Sequence, residues 1–210
     1  MKKNNYIFII IFLVIIIGAI IYFTFFNNNG QTNTDIRGSK ISTDINIENT
    51  NTQVKQTPKE IQIATYSTQI KDNSPGRLTN IRITCGIING TIINPGQTFS
   101  FNEIVGQPTA ARGYQEAKII INHETETGIG GGNCQVSSTI YNSVLAIPTL
   151  TVIERHEHGK DVTYVPEGKD AAVSYGSLDL KFRNDNSYKI KVNVTTDDKN
   201  LTATIFKIED

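Results

Sequence analysis

The chain has no tryptophan, one methionine and only two cysteines in 210 residues. Two cysteines cannot supply a disulfide-dense scaffold or a four-cysteine zinc module. Net charge is also lacking, with 20 basic against 20 acidic residues. No basic cluster stands out, which argues against a nucleic-acid partner. Between Lys3 and Asp35 there is no charged residue at all. What is present is unevenly spread: the chain is 38% hydrophobic, but much of that lies in one run near the start.

Residues 6–26 are almost wholly apolar, and their 21 positions match the ~20 needed to span the hydrocarbon of a bilayer as a helix. A cleaved signal peptide would have a shorter apolar region and a small-residue cleavage site, whereas this run ends in Thr24-Phe25-Phe26-Asn27-Asn28. An uncleaved transmembrane anchor is therefore expected. Lys2 and Lys3 in the stub 1–5 place that side in the cytoplasm and the rest of the chain outside the membrane. Residues 27–60 carry four charges of each sign and are dominated by Asn, Thr, Gln, Ser and Asp. Such a segment buries too little surface to offset its ordering entropy and reads as a flexible linker, with a typical reach of ~30 Å.

Residues 61–210 hold fourteen basic and sixteen acidic residues and are long enough for one domain with its own core. Their pattern predicts an α+β fold, a mostly antiparallel sheet packed with one main helix that starts at Cys134. Strands are expected over 61–70, 78–88, 91–93, 97–101, 117–121, 150–153, 162–165, 171–175, 178–182, 189–195 and 201–208. Asn89-Gly90 between two β-branched runs signals a hairpin, because both residues accept positive φ in a type I′ turn; a helix over 78–88 is the competing reading. Residues 102–115 read as loop. After Cys134, apolar residues at Val136, Ile140, Val144 and Ile147 follow helical spacing, and Pro148 ends the run.

Gly130-Gly131-Gly132-Asn133-Cys134-Gln135 stands directly before this helix. A cysteine at a helix N-terminus meets unpaired N–H groups and the positive dipole end, which favour a thiolate. The same N–H groups suit an oxyanion, and glycines let a substrate backbone approach closely. A buried cysteine is more often a small hydrophobe, and Cys85, among Ile83, Ile87 and Ile88, reads that way. A Cys85–Cys134 disulfide is the weaker alternative. His156 and His158 follow on a strand-like stretch, where residues two apart share a face, so either imidazole is a candidate base for Cys134. Asp170 or Asp161 is the candidate to orient it. The competing chemistry is zinc held by His156, His158 and a third ligand such as His123, Glu154 or Cys134, but no motif supports the third ligand; no metal or cofactor is expected. Arg112 and Arg155 are candidate carboxylate clamps, with a surface salt bridge equally open for each. Tyr114 and Asn102-Glu103 are candidates to line the site without an assigned role.

Several segments resemble one family. These are Pro95-Gly96-Gln97-Thr98-Phe99-Ser100-Phe101-Asn102, Arg112-Gly113-Tyr114 with Ala117, and Gly130-Gly131-Gly132-Asn133-Cys134-Gln135-Val136-Ser137-Ser138-Thr139 followed by Tyr141-Asn142. Glu154-Arg155-His156-Glu157-His158, Tyr164-Val165-Pro166 with Gly168 and Asp170-Ala171, and Asp179-Leu180-Lys181-Phe182 continue the match in order. Together they resemble the VanW domain family of bacterial cell-envelope proteins, associated with glycopeptide resistance. Gly159, Asn133 and Ala172 depart from the residues common at those places. The resemblance implies an extracytoplasmic peptidoglycan L,D-transpeptidase that forms 3–3 cross-links between stem peptides. Cys134 would be its nucleophile and His158 or His156 its proton carrier; the reading of the residues themselves adds Asp170 as the orienting group and Gly131, Gly132, Gln135, Arg112, Tyr114 and Arg155 as expected substrate contacts. A non-catalytic wall- or glycopeptide-binding module and a zinc-dependent cell-wall peptidase are the competing readings.

Overall fold

A computed structural model describes residues 58–121, 124–159 and 162–209. The apolar run 6–26, the linker up to residue 57, His123 and Asp161 lie outside the described residues. Among the described residues no helix is long and apolar enough to cross a membrane. The fold is α+β with antiparallel sheets.

The largest sheet has the order β1-β9-β8-β2 and joins the first strand of the domain to the last. β1 (Lys59–Gln69) and β9 (Asn200–Glu209) pair along nearly their whole lengths, from Lys59 opposite Glu209 to Gln69 opposite Asn200. β8 (Ile190–Thr196) and β2 (Thr91–Ile93) complete it. Ile190, Val192 and Val194 on β8 alternate with half-buried residues, as do Leu201, Ala203 and Ile205 on β9. Strict alternation of this kind gives a sheet one buried face.

That face is covered by two helices, α1 (Pro75–Ile88) and α3 (Asn133–Leu145). The hairpin expected over 78–93 is therefore corrected: residues 78–88 are helical, and Asn89-Gly90 is the turn from α1 into β2 rather than between two strands. The physical reason is visible in Leu78, Ile81, Cys85 and Ile88, which recur at helical spacing and face the core. Pro75 at the first turn has the fixed φ that starts a helix. In α3, Val136, Ile140 and Val144 are fully buried, as their spacing predicts.

A second sheet, β3 (Thr98–Ser100), β7 (Lys181–Asn184) and β6 (Leu150–Glu154) in the order β3-β7-β6, stacks Phe99 on Phe182 with ring centroids 4.7 Å apart. β4 (Glu116–Ile121) and β5 (Glu124–Ile129) form a separate two-stranded ribbon. Residues 102–115 are not plain loop: a short α2 (Phe101–Val105) and a 3₁₀ turn, Ala110–Arg112, lie within them. The expected strands 162–165 and 171–175 do not form; the second contributes only a single bridge, Ser174 to Leu178.

Candidate active site

Cys134 is the second residue of α3, and the chain reaches it through a turn that only glycine fits. Gly132, the residue before the helix, has φ +117°, and a Cβ there would lie 2.8 Å from Ile81 Cγ1. At Gly131 a Cβ would meet the Lys118 carbonyl at 2.5 Å, so the turn lies flat against β4. Asn80, fully buried on α1, holds this turn from beneath, donating to the carbonyls of Gln115 at 2.9 Å and Gly131 at 3.0 Å. Its Oδ1 accepts the Gln115 N–H at 2.7 Å. The Cys134 side chain is partly exposed in a cleft of about 240 Å³ lined by Arg77, Gly131, Gly132, His158, Tyr164 and Tyr175 among others.

α3 is stitched to the segment 169–171 through Ser137, Ser138 and Asn142. Ser138 Oγ accepts the Ala171 N–H at 2.8 Å, Ser137 Oγ donates to the Ala171 carbonyl at 2.6 Å, and Asn142 Nδ2 donates to the Lys169 carbonyl at 2.7 Å. These bonds fix Asp170, which then organises the histidine. Asp170 Oδ2 accepts both the backbone N–H and Nδ1 of His158, each at 2.6 Å. Asp170 Oδ1 accepts Arg155 Nη2 at 2.8 Å, and Arg155 Nε donates to the Asp170 carbonyl at 2.6 Å. A carboxylate only accepts, so His158 Nδ1 carries its proton and Nε2 is the ring atom left for the Cys134 side chain. The His158 side chain is 5% exposed. Burial alone would lower its pKa; its interactions with Cys134 and with Asp170 outweigh it and raise the pKa above the ordinary value. Burial pulls the Asp170 carboxyl upward, but its bonds to His158 prevail and hold it below the usual range.

His156 stands elsewhere. Its Nε2 lies 2.9 Å from Glu154 Oε1, and Glu154 Oε2 takes Lys181 Nζ at 2.9 Å. Those bonds, Lys181 first, bring the Glu154 carboxyl down to about 2. Neither His156 nor Glu154 lines the cleft of Cys134. Among the described residues no group of three or more His, Cys, Asp or Glu is arranged to hold a metal ion; His123 lies outside them.

The other expected substrate contacts are rearranged. Gly131 and Gly132 line the cleft. Gln135 lines it as well, with its Nε2 committed inward to Thr68 Oγ1 and the Gln69 carbonyl, both at 3.0 Å. Arg112 braces the 105–107 backbone, with 2.7 Å bonds to the carbonyls of Gln107 and Val105. Tyr114 is a core residue at 2% exposure, bonded through its hydroxyl to Thr84 at 3.0 Å. Arg155 grips Asp170 and lies over the Tyr141 ring at 5.3 Å. Asn102 lines the cleft and braces the 174–178 turn by donating to the Leu178 carbonyl at 2.9 Å. Sequence reasoning missed Arg77 and Tyr164, which line the cleft from α1 and from the 162–165 segment. The missed signal at Arg77 was its place in the first turn of a helix read as a strand. Cys85 is buried and unpaired, and burial pushes its thiol up to about 12.

An α+β domain with a cysteine at a helix start and an aspartate-held histidine in the same cleft is the class that the fold and site define. A family model described as VanW like protein matches residues 76–206, and the chain belongs to that family. An uncharacterized protein of Bacillus subtilis, YoaR, is 41% identical over 123 residues, 59% of this chain and 40% of that one. The vancomycin B-type resistance protein VanW of Enterococcus faecalis is 34% identical over 137 residues, 62% of this chain and 49% of that one. The chain thus spans less than half the length of either relative. No solved structure matches.

Proposed function

We propose that the chain is a membrane-anchored peptidoglycan L,D-transpeptidase that works through a cysteine acyl-enzyme. The observation that carries this reading is that Cys134 and His158 line one open cleft, with His158 Nδ1 bonded to Asp170. In the first half-reaction His158 Nε2 takes the thiol proton and Cys134 Sγ attacks the carbonyl carbon of the third stem residue. The α3 N-terminus faces the oxygen that becomes negative. The C–N bond then breaks, the fourth residue leaves as an amine carrying the proton from His158, and a thioester remains. In the second half a side-chain amine of a neighbouring stem attacks the thioester, gives its proton to His158 and displaces the thiolate, leaving a 3–3 amide. Asp170 stabilises the imidazolium in both halves. The vancomycin resistance in the name of the Enterococcus relative supports a substrate in the cell wall. Residues 6–26 supply the anchor, and the domain works outside the membrane.

The test is incubation of the full chain, solubilised in detergent, with tetrapeptide-bearing muropeptides, followed by mass spectrometry. The expected products are free D-Ala and a 3–3 linked dimer from the wild type and neither from Cys134→Ala. Identical products from both proteins refute the cysteine mechanism. Binding without turnover by either protein favours a wall-binding module.

A further inference from the structure

Five arginines lie in the described domain, and four are answered. Arg82 meets Asp198, Arg183 meets Asp185, Arg155 meets Asp170 and Glu157, and Arg112 donates to two carbonyls. Arg77 differs. Its Nη2 donates to Gln135 Oε1 at 2.9 Å, and that glutamine is itself locked to β1 through Thr68 and Gln69. The guanidinium is therefore held in place by a neutral partner, and among the described residues no carboxylate lies within ion-pair distance, although its charge acts on Asp72 from farther off. The nearby Asp72 takes the Ser74 N–H at 3.1 Å and faces Lys118 at 3.9 Å instead. Arg77 Nε is buried and has no hydrogen-bond partner. A buried donor left unpaired is costly, so the guanidinium is not fully satisfied by the protein. Arg77 lines both the cleft of Cys134 and the adjoining basin that holds Lys71, Lys118 and Tyr164.

We infer that Arg77 anchors a carboxylate of the peptide stem beside Cys134 and so makes the site selective for stems that carry it. The inference rests on reading the cleft as a stem-peptide site. A planar guanidinium with one arm fixed and other donors free suits a planar two-oxygen acceptor. A tetrapeptide stem offers such a group at its C-terminus, separated from the carbonyl that Cys134 would attack only by the amide nitrogen and one carbon. The α-carboxylate at the second stem position is the other source of the same chemistry.

The test uses the full chain with Cys134→Ala, in detergent, so that nothing turns over. Calorimetric titration compares the tetrapeptide, its C-terminal carboxamide, and the tetrapeptide amidated at the second position. One amide binds roughly ten- to hundredfold more weakly than the acid, and which amide it is identifies the carboxylate. Adding Arg77→Gln makes acid and amide bind alike; Arg77→Lys, which keeps the charge but not the fork, retains part of the difference. Equal binding of the acid and both amides overturns the inference without any Arg77 variant being needed, and discrimination that survives Arg77→Gln overturns it as well. Acid-selective binding together with no turnover by the wild type leaves the carboxylate site standing and sinks the transferase.

Discussion

Replacing Asp170 by Asn isolates the contribution of one charge to the arrangement around Cys134. The carboxylate accepts on both oxygens: Arg155 on Oδ1, and the backbone N–H and ring Nδ1 of His158 on Oδ2. Asparagine has one acceptor and one donor. If its oxygen serves His158, its NH2 meets Arg155 Nη2, and two donors face each other. If the amide flips, its NH2 meets His158 and drives the imidazole to carry its proton on Nε2, where it can no longer take one from Cys134. Arg155, 15% exposed at the side chain, loses its buried charge partner either way and keeps only the exposed Glu157. With bonds to charged groups at about 1.5–3 kcal/mol each, the expected loss of stability is about 2–4 kcal/mol. Turnover should fall about 10²-fold or more, since the equivalent change in serine triads acts by imposing the wrong tautomer.

The pH dependence has a definite sign. Asp170 is depressed in the folded state, so its contribution is present above the unfolded value of 3.8 and is lost as pH falls through the folded value. His158 is raised, so its contribution is present below 6.5 and is lost as pH rises through the folded value. The stability gap between wild type and Asp170→Asn is therefore widest between these two limits. Urea midpoints at several pH values measure it, and nitrogen NMR reads the His158 tautomer. A variant that unfolds within about 0.5 kcal/mol of the wild type throughout, with Nδ1 still protonated, refutes the reasoning.

Two further expectations follow from the same neighbourhood. Iodoacetamide at pH 8 should label Cys134 in the native chain and spare Cys85, whose thiol burial pushes up to about 12; peptide mapping with comparable labelling of Cys85 before unfolding contradicts this. Asn80→Ala removes a fully buried side chain with three hydrogen bonds, at about 3 kcal/mol. Faster amide hydrogen exchange across residues 130–133 should accompany the loss, and unchanged exchange there shows that the turn before Cys134 does not depend on Asn80.

The helix start at Cys134 was legible because its signals are local: three glycines, then apolar residues at regular helical spacing. The partnership with His158 was half legible. A strand-like period offers two histidines on one face, and only the tertiary placement of segment 169–171 by Ser137, Ser138 and Asn142 decides between them. α1 was hidden by its own composition. Thr79, Ile81, Ile83, Thr84, Ile87 and Ile88 are β-branched and suit a strand, and packing on β8 overrides that preference. β5 was missed for the opposite reason, since Glu124-Thr125-Glu126-Thr127 has no apolar side to reveal its pairing with β4. Arg77 was invisible as a site residue because its significance lies in what it does not touch.

The pairing of β1 with β9 also has a mechanical side. β1 is an edge strand, and its first residue lies opposite the next-to-last residue of the chain. A pull applied between Lys59 and Glu209 loads that end of the ladder first and opens it pair by pair, as a zipper opens, rather than shearing every bond at once. The other end of β1 holds Thr68 and Gln69, which grip Gln135 and through it Arg77. Tension between those two ends is thus taken up at the end of the strand farthest from the cleft, and several rungs can yield before the residues around Cys134 feel the strain.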